Sequence, residues 1–261
     1  MSTLKGLNAL VCGSTQGIGK ACAVELARLG ATVTLMARDE MALQRVTDEL
    51  HAEHGQTHGY ICVDFIDWQA VRDKAREHVS ETGIVHILLN NTGGPPAGPA
   101  IEAAPEAFLA AFQQHLICNQ VLVQAAVEPM KRARYGRIIN IISSSVIQPI
   151  PNLGVSNTIR GAVANWGRAL AGELAEHGIT VNNILPGYTD TARLASLFEK
   201  LGEGDAARIE QARLAAHAKI PAQRFADPAE IGMVAAFLAS PAASYVNGVN
   251  LPVDGGKLAR Q

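Results

Sequence analysis

Apolar runs of five or six residues alternate with stretches of helical periodicity almost to the end of the chain. Leu7 to Cys12 reads as a first buried strand, Thr32 to Met36 as a second and His58 to Val63 as a third. Val85 to Leu89, Arg137 to Ile142, Ile179 to Leu185 and Gly248 to Val253 read as four more. Between them lie helical patterns. The first follows Gly13 and lasts to about Gly30, with Ile18, Cys22, Leu26 and Leu29 apolar and Lys20, Glu25 and Arg28 on the polar side. Asp39 to about His54 is the next helix. Asp67 caps another, with Val71, Ala75 and Val79 at four-residue spacing. Pro105 opens a long helix to about Arg132, Val155 a second to about His177, and Pro228 a shorter one to Ala239. Tyr188 to Ala226 is less regular, polar and partly helical.

Repeated strand–helix units with short crossovers imply parallel strands. The expected fold is a single α/β domain spanning 1–261, a doubly wound, Rossmann-like parallel sheet of about seven strands with helices on both faces. Ligands of such sheets bind beyond the strands' carboxyl ends. Those ends here carry Gly13, Ala37-Arg38, Asp64, Asn90, Ser143 and Pro186.

Composition removes several functional classes. The 261 residues are 48% hydrophobic with a net charge of −2, which suits a large core and leaves no basic footprint for nucleic acid. No apolar stretch is long enough to span a bilayer, and no apolar run precedes Leu7, so neither an anchor nor a signal peptide is expected. Cys12, Cys22, Cys62 and Cys118 stand singly. No metal site is expected from them, and they fit a reducing cytoplasm.

The densest chemistry lies in Gly13-Ser14-Thr15-Gln16-Gly17-Ile18-Gly19, between the first strand and the first helix. Glycines let a pyrophosphate approach the main chain, where free helix N–H groups favour negative charge. The spacing is G-x-x-x-G-x-G rather than the common dinucleotide G-x-G-x-x-G, and an ordinary strand-to-helix turn is the competing reading.

Over essentially its whole length the chain resembles the short-chain dehydrogenase/reductase family, above all its 3-oxoacyl-acyl-carrier-protein reductase branch. The resemblance rests on the glycine turn, Asp64, Asn90-Asn91-Thr92-Gly93 with Thr92 in place of the usual alanine, and Ser143. Pro186-Gly187 with Thr191, and Asp254-Gly255-Gly256 near the carboxyl end, complete it. It implies a nicotinamide cofactor held by Gly13 to Gly19, Asp64, Asn91, Gly93, Arg160, Pro186, Gly187 and Thr191. It also implies a small-molecule substrate, a substrate loop at about 188–226, and a homotetramer or homodimer. Apolar helix faces around Leu122 and Trp166 are offered for that assembly.

The departures from the family are as informative. Its catalytic tyrosine, thirteen residues after the serine, is Ser156 here, and its lysine four residues later is Arg160. Its asparagine, counted back from Gly136-Arg137, falls on His115, or on Asn119 with a slip of one turn. Ser143 can still hydrogen-bond a carbonyl oxygen. Ser156 cannot replace a phenol as proton donor, and Arg160 holds charge without relaying protons. His115, which titrates near neutrality when unperturbed, Tyr188, and a bound water remain as proton sources. His115 reads equally as a structural histidine, and Tyr188 as a packing residue.

Arg38 follows Ala37 where NAD-selective folds carry an acid, so it can receive a 2′-phosphate, with Ser14 and Thr15 adding hydroxyls. Gln16 stands where relatives often carry arginine. NADP is therefore expected over NAD. Asp64 reads as an adenine contact or as a cap. The expected activity is reduction of a carbonyl, 3-oxoacyl among the options, or oxidation of an alcohol. A silent nucleotide-binding scaffold and non-redox chemistry on the same fold are the alternatives.

Overall fold

The alternating pattern closes into one sheet of seven parallel strands in the order β3-β2-β1-β4-β5-β6-β7. A computed structural model describes residues 3–260, so residues 1, 2 and 261 of the expected domain lie outside the described residues. The chain runs β1 (Asn8–Cys12), α1 (Gly17–Arg28), β2 (Thr32–Ala37), α2 (Glu40–Glu49), β3 (Gly59–Cys62), α3 (Trp68–Thr82) and β4 (Ile87–Asn90). It continues with α4 (Pro105–Phe112), α5 (Cys118–Ala133), β5 (Gly136–Ile141), α6 (Gly154–Leu174) and β6 (Ile179–Pro186). It ends with α7 (Ala192–Leu201), α8 (Ala206–Ala218), α9 (Pro228–Ala239) and β7 (Asn250–Val253). β1 pairs with both β2 and β4, so the order reverses there and a crevice opens at the strands' carboxyl ends.

Strand alternation supplies two cores. Ala9, Val11, Leu35, Leu89 and Ile139 face one side, packed with Cys22, Leu26, Leu43 and Ile231 from α1, α2 and α9. Leu10, Cys12, Met36, Leu88 and Ile138 face the other, with Val71, Leu122, Met130 and Leu174 from α3, α5 and α6. Leu122 is thus spent in the core, and Trp166 packs against the same core while donating to Gln120 at 2.8 Å.

Three buried asparagines and a half-buried fourth fasten the carboxyl half of the sheet. Asn90 donates to Asn140 at 2.9 Å, Asn140 to Asn183 at 2.8 Å, and Asn183 to Asn250 at 2.8 Å, crossing β4, β5, β6 and β7. Gly167 of α6 leaves room for this ladder, since a Cβ there would lie 2.9 Å from both Asn140 Nδ2 and Asn183 Oδ1.

Several elements differ from expectation. α2 stops at Glu49 rather than about His54, because Leu50 turns out of helical geometry and is buried. The predicted helix from Pro105 is interrupted by a π turn over Gln113–Ile117, which directs His115 inward. β7 begins at Asn250, since Gly248 has a φ of 73° and breaks the extended run. The irregular 188–226 segment holds two full helices. Thr191 caps α7 at Leu194 N, Asp205 caps α8 at Arg208 N, and Leu194, Phe198 and Ala216 form their shared core. As the sequence suggests, Asp67 caps α3 by accepting from Ala70 N.

Candidate active site

The glycine turn is built for a bound group. Gly13 and Gly17 have φ of 58° and 55°, angles that side chains with a Cβ rarely adopt. A Cβ on Gly19 would strike the Gly13 carbonyl, so α1 leaves the turn with no room for a side chain. Gly17 lies opposite Thr191, whose Cγ2 would be 3.2 Å from an added Cβ. Gln16, at the start of α1, makes no side-chain cap and no acid follows it in the first turn, whereas α2, α3, α7, α8 and α9 are each capped by a side chain. The first N–H groups of α1 are therefore left for an anion. Ser14 Oγ is buried with no partner beside them. These features fit a dinucleotide diphosphate. Asn91 braces the turn, donating to the Gly13 carbonyl at 3.1 Å.

Arg38 and Asp64 follow the carboxyl ends of β2 and β3. Arg38 Nη1 lies 3.8 Å from Asp64 Oδ2, both are exposed, and Asp64 Oδ1 also accepts from Ile66 N at 3.1 Å. Thr15 and Gln16 make no side-chain hydrogen bonds among the described residues, and a Cβ added at Gly93 would meet nothing within 4 Å.

From Ile18 the crevice widens into a cavity of about 470 Å³. Its lining brings together Asn91, Ser143, Arg160, Pro186, Gly187, Tyr188 and Thr191 from the expected set. Ser143 Oγ accepts from Ser145 N at 3.1 Å, which leaves its own proton free to donate. Arg160 is buried and donates to the Ile141 carbonyl at 2.9 Å. Burial, and then the neighbouring charge of Arg193, lowers its pKa to about 10, so it remains a cation at neutral pH. Tyr188 packs against Phe198 and Phe225, and burial raises its phenol pKa, which makes it a weaker acid.

Ser156 and His115 are not in that lining. Ser156 is buried on α6, one turn before Arg160, and its hydroxyl makes no hydrogen bond among the described residues. His115 is buried beneath the cavity floor formed by Thr92, with Nδ1 2.6 Å from Thr92 Oγ1 and Nε2 without a partner. Two departures from the family pattern, Thr92 and His115, thus bond to each other. The expected titration of His115 near neutrality does not hold. Burial, then the charges of Arg160 and Arg193, push its pKa down to about 2. Asn119, the one-turn alternative, is also buried.

Sequence reasoning missed Arg193. It leaves the first turn of α7 and donates to the carbonyls of Gly94 at 3.1 Å and Pro95 at 3.4 Å, strapping one lip of the crevice to the other. Lys200 and Lys257, also in the lining, lie outside any motif. Among the described residues no group of three or more His, Cys, Asp or Glu side chains could hold a metal, and no helix is long and apolar enough to cross a membrane.

The reversed strand order, the uncapped glycine turn and a serine at the end of β5 define a nucleotide-binding oxidoreductase scaffold. A family model described as enoyl-(acyl carrier protein) reductase matches residues 13–257. The 3-oxoacyl-[acyl-carrier-protein] reductase FabG of Vibrio cholerae is 32% identical over 255 residues, 97% of this chain and 98% of that protein. The NADPH-dependent reductase BacG of Bacillus subtilis is 28% identical over 251 residues, 96% of this chain and 97% of that one. The crystal structure of L-sorbose reductase from Gluconobacter frateurii, complexed with NADPH and L-sorbose, superposes with a TM-score of 0.92 at 28% identity, covering 98% of each chain. The chain belongs to the short-chain dehydrogenase/reductase family of oxidoreductases.

Proposed function

We propose that the protein is an NADP(H)-dependent oxidoreductase that reduces a carbonyl compound or oxidises the matching alcohol. In this reading Ser156 and Arg160 stand where relatives use tyrosine and lysine. One observation carries it: Ser143 and Arg160 open onto a single cavity that continues into the glycine turn. NADPH, when bound, would supply the hydride.

The chain's own residues supply the rest. Main-chain N–H groups at Gly17 to Gly19 hold the diphosphate, supported by Gly13, Ser14, Asn91 and Thr191. Arg38 takes the 2′-phosphate, with Thr15, Gln16, Asp64 and Gly93 around the adenosine. Pro186 and Gly187 back the nicotinamide. Ser143 donates to the carbonyl oxygen, its lone pair already satisfied by Ser145 N. Arg160 holds a fixed positive charge against the developing alkoxide and donates to ribose hydroxyls. Neutral His115 and the weakened acid Tyr188 fit proton delivery poorly at neutral pH, so a water beside Ser143 fits that role best. His115 then positions Thr92 beneath the site.

The test is loss of reduced coenzyme with a panel of ketones, aldehydes and 3-oxo esters, for the natural chain and for Ser143→Ala. Turnover that disappears in the variant supports the reading. The absence of Ser156 from the cavity lining favours a second reading, a catalytically silent nucleotide-binding scaffold. Under it the natural chain is inactive and Ser156→Tyr with Arg160→Lys creates turnover. A cytoplasmic homotetramer or homodimer is part of the first reading. Exposed Met233 and Phe237, one turn apart on α9, offer it an apolar face, and light scattering measures its size.

A further inference from the structure

The cavity is lined by four cations and no acid. Arg160, Arg193, Lys200 and Lys257 face it, and neither aspartate nor glutamate is among its lining residues. Among the described residues none of the four makes an ion pair. The two arginines are committed to main-chain carbonyls, of Ile141 and of Gly94 and Pro95. The ammonium groups of the two lysines make no hydrogen bond among the described residues. Lys257 is half-buried and its ammonium lies 5.4 Å from the centre of the Tyr188 ring, which fixes it at the cavity wall. Asp254, the carboxylate whose charge acts on Lys257, also accepts from the main-chain N–H groups of Gly256 and Leu258 at 3.0 and 2.9 Å.

The coenzyme's phosphates do not account for the lysines. The diphosphate position is the turn opposite Thr191, and Lys200 lies more than two turns further along α7, about 13 Å by helical rise. The 2′-phosphate position at Arg38 lies outside this cavity altogether. The same lining also carries apolar Ile142, Ile150, Leu153 and Leu197. Lys257, half-buried in this lining, and Lys200, exposed at it, both offer positive charge to an anion of the ligand.

We propose that the substrate is an anion, a short apolar chain bearing a carbonyl at one end and a carboxylate or phosphate at the other, with Lys257 and Lys200 as the specificity-determining residues that hold the anionic end. This rests on the oxidoreductase reading and sharpens it from carbonyl compounds in general to oxo acids or oxo-alkyl phosphates.

The experiment separates the two. Hexanoate, hexyl phosphate and hexanamide are titrated by calorimetry into the protein saturated with oxidised coenzyme, for the natural chain and for K257M, K200M and K257R. At least one anion is expected to bind about tenfold or more tighter than the amide, a difference of about 1.4 kcal/mol. The better anion identifies the headgroup. K257M and K200M are expected to lose most of that preference, and K257R to keep it. Equal affinity for anions and amide in the natural chain, or a preference unchanged in both methionine variants, would overturn the proposal. Turnover of an oxo acid and its methyl ester with NADPH is measured alongside. Ester reduced as efficiently as acid sinks the anion site and leaves the reductase standing. Anion preference without any turnover does the reverse.

Discussion

Arg160 donates from Nη1 to the Ile141 carbonyl at 2.9 Å, so the cation of α6 is anchored to β5 two residues before Ser143. This bond ties together Ser143 and Arg160, two members of the expected catalytic group that line the cavity. It needs a long side chain with several donors, one for the carbonyl and others for a ligand. Arg160→Lys is expected to keep partial coenzyme affinity and to lower kcat, because an ammonium cannot hold both partners in the same planar geometry. Arg160→Met is expected to lose about tenfold or more in NADPH affinity, read by fluorescence titration. Equal affinity in both variants and the natural chain would remove Arg160 from the coenzyme site.

Ser143→Ala removes the hydroxyl that the proposed reading assigns to the carbonyl oxygen. A fall of about 100-fold or more in kcat is expected, with the Kd for NADPH unchanged. A variant that turns over normally would move the oxyanion contact elsewhere.

Neutral, buried His115 makes a pH prediction with a definite sign. Its folded pKa of about 2 lies below the ordinary 6.5, so the unfolded chain takes up the proton first as pH falls. Stability is at its full value above the unfolded pKa and is lost as pH drops through 6.5 toward 2, by about 2 kcal/mol at pH 5. Urea unfolding at pH 8 and pH 5 should show this loss in the natural chain, and a loss smaller by about that amount in His115→Asn. Identical pH dependence in the two chains would mean that His115 is protonated in the fold. The activity profile should likewise carry no inflection that His115→Asn abolishes.

Much of this was legible in the chain. The strand–helix alternation, the glycine turn and the rim of strand ends were read correctly, because each is a local pattern with a local cause. Segment 188–226 was not, since α8 is exposed on most faces and lacks a clear apolar stripe, while α7 and α8 share a small core of Leu194, Phe198 and Ala216. The inward turn of His115 was invisible too, because a π turn has no sequence period of its own and the Thr92 partner lies 23 residues away. Arg193 reaches across the crevice to residues 99 and 98 positions away, which no spacing could suggest.

Arg38 meets Asp64 at 3.8 Å, which holds its guanidinium at the end of β2. Arg38→Ala is expected to lower the preference for NADPH over NADH by about tenfold or more, through loss of a charge-assisted contact to the 2′-phosphate. Parallel titrations with the two coenzymes measure the ratio. A ratio unchanged in the variant would place the phosphate away from β2.

The asparagine ladder predicts a cost for breaking its centre. Asn140→Ala leaves Asn90 Nδ2 and Asn183 Oδ1 buried without partners and is expected to destabilise by about 2–4 kcal/mol. Chemical denaturation reads the loss. An effect below about 1 kcal/mol would show that water replaces the missing amide.

The central claim is that the crevice from the glycine turn to Ser143 binds a phosphorylated dinucleotide. Calorimetric titration of the natural chain with NADPH, and separately with NADH, tests it most directly. Saturable binding at one site per chain is expected, tighter for NADPH by about tenfold or more. No heat with either coenzyme at millimolar concentration would contradict the account at its root.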